Sequence, residues 1–105
     1  MATKQEIIDY VSKLQAYIDS CWKAHGYTFA SPPMVTIDWG RKNAKIVKVD
    51  DAGRGSRSVH SFVEIETGNI LKAAGWNSPA KGVRGNIATV VFGENVGEYG
   101  AAYLR

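Results

Sequence analysis

The sequence predicts an α+β domain in which one long N-terminal helix packs on one face of an antiparallel sheet of four to five strands. Three observations support this fold. A capping box precedes apolar residues at helical spacing, runs rich in β-branched and aromatic residues follow at strand length, and turn residues separate those runs. Because the helix and the sheet each have an apolar side to bury, packing one on the other gives a two-layer domain.

The helix is predicted to begin at Thr3 and Glu6, which form a capping box that satisfies backbone amides of the first turn. Apolar residues then recur at spacings of four and three and define one stripe: Ile7, Val11, Leu14, Ile18 and Cys21. Gly26 suits the left-handed residue that ends a helix. We therefore expect this stripe, including Cys21, to be packed in the core.

Four strands are predicted after an extended, proline-containing segment at 27–33. Alternation of apolar and polar residues or enrichment in β-branched residues places them at 35–39, 44–50, 57–66 and 70–74. The connections between them are short and rich in glycine, asparagine and aspartate, which favour tight turns. Successive strands should therefore pair as an antiparallel meander.

The stretch GWNSPAKGVRGN, residues 75–86, is predicted to be a loop. It contains three glycines and a proline, which interrupt regular strands, with two cations, a tryptophan and no carboxylate. The apolar run IATVVFG at 87–93 would then form a fifth strand, with a short helix as the alternative, because periodicity does not decide so short a run. A loop of this length in a compact domain is usually functional.

The composition predicts a single cytoplasmic domain that spans residues 1–105. Hydrophobic residues make up 45% and charged residues 22% of the chain, as in ordinary globular proteins. No apolar run approaches the roughly 20 residues that a membrane helix needs. One cysteine and two scattered histidines form neither a disulfide nor a zinc pattern, so we expect no metal and no cofactor.

Positive charge is concentrated in the middle of the chain. The net charge is +3, and residues 39–93 contain nine cations against four acids. No acid occurs between Thr67 and Gly93, so the cations of that segment have no acidic neighbour in the sequence. This distribution favours a negatively charged partner, with ordinary solubility as the alternative explanation.

Three stretches resemble a group of small uncharacterised proteins from tailed bacteriophages. These stretches are SVHSFVEIETGNILKAAGW, PAKGVRGNI and the closing YGAAYLR, within residues 58–105. The run IATVVFG departs from that group because it is more apolar. The resemblance implies a protein that acts in the cytoplasm of an infected bacterium, by binding and not by catalysis. It implies no particular fold, activity or catalytic residue.

We expect the loop at 75–86 to bind a phosphate-bearing nucleotide. Its glycines let backbone amides approach an anion, Arg84 offers a bidentate grip on phosphate, and Trp76 offers a face on which a base stacks. In the phage setting, the nucleotide would be a host immune signal that the protein sequesters. The predicted ligand-binding residues are Lys72, Trp76, Lys81, Arg84, Gly85, Asn86 and His60.

Several alternatives remain open. The loop has a purely structural interpretation, in which Trp76 packs inward and Arg84 pairs with an acid. A single-stranded nucleic acid is the alternative partner if the cations of the first hairpins share a face with those of the loop: Arg41, Lys42, Lys45, Lys48, Arg54 and Arg57. Binding to a host protein through exposed aromatic residues is a third alternative, and pairing of exposed edge strands into a homo-oligomer is a fourth.

No catalytic site is expected. His60 and Glu64 should share one side of a strand while Ser61 points to the other, because side chains alternate along a strand. A general base needs a nucleophile within hydrogen-bond reach, and this spacing provides none. The GVRG segment matches the backbone clamp of KH domains only weakly, since it is not set between two helices.

Overall fold

The computed structural model describes residues 3–26, 31–50, 54–94, 96–97 and 100. The elements are α1 (Lys4–Ala24), β1 (Met34–Trp39), β2 (Asn43–Val49), β3 (Arg57–Glu64), β4 (Asn69–Gly75) and β5 (Ser78–Asn86). The five strands form one sheet whose spatial order follows the chain, and all neighbours are antiparallel. The predicted α+β fold, a meander with an N-terminal helix, is confirmed.

The capping box begins α1 as predicted. The Thr3 hydroxyl accepts a hydrogen bond from the Glu6 amide at 3.1 Å, and the Glu6 carboxylate accepts one from the Thr3 amide at 3.1 Å. Gly26 has a φ of +74°, the left-handed conformation expected at the helix end. Within the described residues, no helix combines the length and the apolar character needed to cross a membrane.

The core lies between α1 and one side of the sheet. The helix contributes Ile7, Tyr10, Val11, Leu14 and Ile18, which is the predicted stripe with Tyr10 added at its margin. Cys21 is only half-buried, so the last position of the stripe lies outside the core. The sheet and the segment after it supply the opposing residues: Val35, Ala44, Ile46, Val63, Ile70 and Val96.

The strand register divides the sheet into a helix-facing side and an outer side. Residues directly opposite each other in neighbouring antiparallel strands project to the same side. One row of the register contains Ala44, Val63 and Ile70, all of them core residues, and therefore faces the helix. The adjacent row projects to the outer side and consists of Asp38, Lys45, Phe62 and Leu71.

A β-bulge in β3 changes the predicted alternation. Ile46 pairs with Ser61 while the next residue, Val47, pairs with Val59, so His60 is an additional residue in β3. Ser61, opposite a core residue, faces the helix, and the His60 ring lies 2.9 Å from its hydroxyl. The prediction that Ser61 points away from His60 is therefore wrong, because the bulge interrupts the period of two.

The predicted loop at 75–86 is not a loop. Trp76 and Asn77 form a tight turn in which Gly75 lies opposite Ser78, and β5 occupies the rest of the stretch. Glycine and proline are tolerated here because β5 is an edge strand with three register shifts against β4. Gly82, with a φ of +95°, lies within this irregular pairing.

The segment 87–93, which we predicted as a fifth strand or short helix, is neither. It consists of turns, with a single bridge between Phe92 and Val96. The Phe92 ring stacks between Tyr10, at 6.0 Å, and Tyr17, at 5.4 Å between ring centroids. The run is apolar because Ile87, Val90 and Phe92 pack on the core, which does not require a strand.

Two adjacent isoleucines of α1 provide a test of this packing. Ile7 is fully buried and Ile8 is 42% exposed. We expect Ile7→Ala to lower the free energy of unfolding by about 2–5 kcal/mol, because it leaves a cavity between α1 and the sheet. Ile8→Ala should change it by no more than about 0.5 kcal/mol. Urea denaturation measures both values, and equal losses would contradict the described orientation of α1.

Candidate functional site

A cavity of about 330 Å³ opens where the turn between β1 and β2 approaches the turn between β4 and β5. We call it the basic hollow, because three of its lining residues are cations and one is an acid. Its lining comprises Asp38, Trp39, Gly40, Arg41, Lys42, Asn43, Lys45, Phe62 and Asn77. Phe62 and Lys45 belong to the outer-side row of the register, so the hollow lies on the side of the sheet away from α1.

The turn between β1 and β2 places two of these cations. The Gly40 amide donates to the Asn43 carbonyl at 3.0 Å, which closes the turn. A Cβ atom at residue 40 would lie only 2.7 Å from the Asn43 carbonyl oxygen, so this tight turn requires glycine. Arg41 and Lys42 occupy the tip, where both side chains are exposed to solvent at the mouth of the hollow.

Lys45 joins the middle of the sheet to the turn between β4 and β5. Its ammonium group donates to the Asn77 side-chain oxygen at 2.7 Å and lies 4.4 Å from the centroid of the Trp76 ring. The Arg57 guanidinium lies 5.5 Å from the same ring. Cations over an indole face attract its π electrons. Trp76, which remains 43% exposed, is thus held over the outer side by residues of two strands.

The electrostatics of the hollow are dominated by its cations. The Asp38 carboxylate lies 3.7 Å from the Arg57 guanidinium, in a pair whose side chains are both 54% exposed. Such an exposed pair adds little stability, but it does offset the negative charge of Asp38. The side-chain oxygen of Asn43 is buried and accepts no hydrogen bond from any described residue. The cations that line the hollow therefore outnumber its acids.

The residues predicted on β5 are not among those that line the basic hollow. The Arg84 side chain turns back on its own strand, where Nε donates to the Gly82 carbonyl at 3.1 Å and Nη2 to the Lys81 carbonyl at 3.2 Å. Lys81 itself is exposed. Gly85 lies opposite Ile70 in the ladder and is half-buried. Two nitrogens of the Arg84 guanidinium that were expected to bind phosphate therefore donate to backbone carbonyls instead.

The Asn86 side chain joins the end of β5 to the turn between β3 and β4. Its amide group donates to the Thr67 carbonyl and to the Asn69 side chain, both at 3.0 Å, and its oxygen accepts from the Ala88 amide at 2.9 Å. Lys72 is half-buried in β4, and alternation places it with Ile70 on the helix-facing side. Of the seven predicted residues, Trp76 is the one that the structure brings beside the basic hollow.

His60 is buried on the helix-facing side, with 2% of its surface exposed. Its Nε2 lies 2.8 Å from the Gly97 carbonyl, which only accepts, so Nε2 carries the proton and donates. Nδ1 then accepts from the Ser61 hydroxyl at 2.9 Å. The ring thereby attaches the segment at Gly97 to β3.

The histidine is neutral in this position. The pKa of His60 falls from 6.5 to about 4, mainly because the ring is buried; the bond to the Gly97 carbonyl acts in the opposite direction, and the charge of Lys48 adds a smaller lowering. Burial also raises the pKa of Tyr10, which the nearby Ser61 hydroxyl partly offsets. The Tyr10 hydroxyl nevertheless has no well-aligned hydrogen-bond partner among the described residues.

The residues that our sequence-based site omitted are Asn43, Asn77 and the cations of the first hairpin. From the sequence, these cations were considered only as contacts for a nucleic-acid polymer: Arg41, Lys42, Lys45 and Arg57. The sequence does indicate that Lys45 projects to the outer side of the sheet, because side chains alternate along β2 and its neighbours Ala44 and Ile46 are apolar. No signal in the sequence indicated that the turn at Trp76 approaches Lys45.

The chain is a small α+β domain with a basic cavity on the side of its sheet away from α1, beside Trp76. The chain belongs to a family of unknown function, DUF7717, whose model matches residues 2–101. No curated protein and no solved structure matches the chain. In the described part of the chain, histidine, cysteine and acidic side chains form no group suited to a metal ion.

The depressed pKa of His60 predicts a specific loss of stability in acid. Below pH 6.5 the unfolded chain binds a proton at this residue, whereas the folded chain does not until about pH 4. The contribution of His60 is therefore complete above pH 6.5 and is lost as the pH falls to about 4, by an amount of about 3 kcal/mol. Urea denaturation at a series of pH values measures this loss.

His60→Gln is the informative variant, because an amide preserves a donor and an acceptor but does not titrate in this range. We expect its stability to vary less with pH than that of the unmodified protein. Parallel profiles for the unmodified protein and His60→Gln would show that the folded histidine titrates normally.

Proposed function

We propose that this protein binds a phosphate-bearing nucleotide in the basic hollow and acts as a binding protein, not as an enzyme. The proposal rests on the charge of the lining. Arg41, Lys42 and Lys45 surround one cavity, and the carboxylate among its lining residues, Asp38, faces Arg57 at 3.7 Å. Cations gathered without matching acids attract phosphate, and a guanidinium can hold two of its oxygens at once.

The size of the hollow favours a small nucleotide. Its volume of about 330 Å³ lies near the lower end of the range of about 300–1,000 Å³ that is typical of small-molecule sites. Trp76 flanks the hollow on the outer side, beside Lys45, whereas Trp39 belongs to the helix-facing row and has Lys4 5.3 Å from its ring. A base beside Trp76 and a phosphate at the first turn fit this arrangement.

The carboxamides of Asn43 and Asn77 provide polar groups for the rest of such a ligand. An amide both donates and accepts, so it can bond the edge of a base or a ribose hydroxyl.

The absence of a catalytic role is supported by the position of Ser61 and His60. These residues pair a hydroxyl with an imidazole at 2.9 Å, the arrangement that nucleophilic catalysis uses. They are only 0% and 2% exposed, respectively, and lie on the side of the sheet opposite to the hollow. Their hydrogen bonds join β3 to the segment at Gly97.

The ligand that we propose follows from the phage resemblance. A nucleotide immune signal in the cytoplasm of an infected bacterium would be sequestered in the hollow, which is the anti-defence role expected above. Cyclic dinucleotides therefore belong in the ligand panel beside linear mononucleotides.

A thermal-shift panel tests the proposal, with inorganic phosphate, mononucleotides and cyclic dinucleotides as probes. A ligand at a hundred times its dissociation constant should stabilise the fold by about 2.7 kcal/mol. Arg41→Gln and Lys42→Met should each weaken binding by about tenfold or more, because each removes a charge-assisted contact worth about 1.5–3 kcal/mol. Both side chains are exposed, so the melting temperature without ligand should stay the same.

Two matched variants distinguish the hollow from the site that we predicted on β4 and β5. Lys72→Met and Arg84→Ala remove cations outside the hollow and should leave nucleotide affinity unchanged. If these two changes abolish binding while Arg41→Gln and Lys42→Met do not, the ligand site is on β5. No shift with any probe would overturn the proposal altogether.

A single-stranded nucleic acid is the second candidate, because Trp76 and Arg57 extend the basic surface beyond the hollow. Salt dependence separates the two, since each phosphate held on a single strand contributes about −0.7 to the slope of log affinity against log salt. We expect oligothymidylate to bind weakly, and a nucleotide to give a slope no steeper than about −2. Tight oligothymidylate binding with a slope of about −3 or steeper would favour the polymer. Quenching of tryptophan fluorescence provides the measurement.

A further inference from the structure

The edge of β1 is covered by one side chain of the helix. The Gln15 amide nitrogen donates to the Pro33 carbonyl at 2.9 Å, and its oxygen accepts from the Val35 amide at 2.8 Å. A neighbouring strand would make these same two bonds to Pro33 and Val35. Asp19 accepts a further bond from the Gln15 nitrogen at 3.0 Å and holds the carboxamide in this orientation.

Beyond Gln15, the edge of β1 is suited to pairing. Backbone groups of residues two apart in a strand point the same way, so those of Ile37 and Trp39 face outward with those of Val35. All six residues of β1 pair with β2 without a register shift. By contrast, β5 at the other edge contains Pro79 and three register shifts, which make it a poor template.

β1 itself, Met34–Trp39, contains no lysine, proline or bulge, although Pro33 directly precedes it. Proteins discourage pairing with charged residues, especially lysine, with proline or with bulges. The one charged residue of β1 is Asp38, which already faces Arg57. Apolar side chains are exposed at both ends of the strand, with Met34 at 43% and Trp39 at 39%.

We infer that β1 is a latent pairing edge for a second copy of this chain, and that Gln15 keeps the edge closed. Two β1 strands related by a two-fold axis run antiparallel, which places the Met34 end of one copy beside the Trp39 end of the other. Because β1 has a single acid and no cation, this pairing brings no run of like charges together. Gln15 prevents this pairing because its carboxamide occupies the outward backbone groups of Pro33 and Val35.

The experiment compares Gln15→Ala with Gln5→Ala by light scattering over a wide range of concentration. Gln5 is an exposed residue of the same helix whose side chain bonds only to Asp9 in the described structure, which makes it the matched control. We expect the unmodified protein and Gln5→Ala to have the mass of one chain. The mass of Gln15→Ala should rise with concentration towards twice that value.

A second change locates the interface. Met34→Lys adds a charge to the exposed edge, so Gln15→Ala/Met34→Lys should return to the mass of one chain. Amide hydrogen exchange gives an independent measurement, because Ile37 should gain protection only when a second strand pairs with it. If removal of Gln15 were merely destabilising, Val35 would lose protection and Ile37 would gain none.

Three results would overturn this inference. These are a dimeric unmodified protein, a Gln15→Ala variant that remains monomeric while folded, and a dimer that Met34→Lys does not weaken. If circular dichroism shows that Gln15→Ala is unfolded, Gln15→Glu replaces it. That variant preserves the acceptor for the Val35 amide and loses the donor for the Pro33 carbonyl. It is judged by the same outcomes.

Discussion

The core and the basic hollow both depend on the pairing of β2 with β3. Because side chains alternate along a strand, the register of these two central strands decides which residues face α1 and which face solvent. Ala44 and Val63 lie opposite each other in the core, while Lys45 and Phe62 form the floor of the basic hollow on the outer side. A shift of one residue would exchange these two sets. The bulge at His60 allows the pairing to continue while Ser61 and the histidine both face the helix.

Much of the fold followed from local physical rules. The capping box and the apolar stripe define α1 because both depend on residues three or four positions apart. The first four strands were recognised by their β-branched residues and by the turns between them. The strand β5 was missed because its glycines and Pro79 are typical of loops, and an edge strand tolerates them only where pairing is irregular. The run at 87–93 was misassigned because burial alone explains its apolar residues.

The basic hollow consists of residue types like those of the predicted site, but most of the residues themselves are different. Cations, an indole and carboxamides do converge, yet they come from the first hairpin and from the turn at Trp76. Contacts between residues as distant as Lys45 and Asn77 depend on how the sheet folds, which no local spacing reveals. Arg84 illustrates the opposite error, because its bonds to nearby backbone carbonyls cannot be inferred from residue type.

The position of Phe92 between Tyr10 and Tyr17 has a consequence for synthesis on the ribosome. The aromatic stack joins the first helix to a segment near the other end of the chain, and Val96 completes the same core. Because α1 precedes this segment in the chain, it leaves the exit tunnel earlier, and part of its apolar surface stays uncovered until Phe92 and Val96 have been synthesised. Contacts between such distant parts of a chain slow folding. During that interval the nascent helix is a natural substrate for chaperones that hold exposed apolar surfaces.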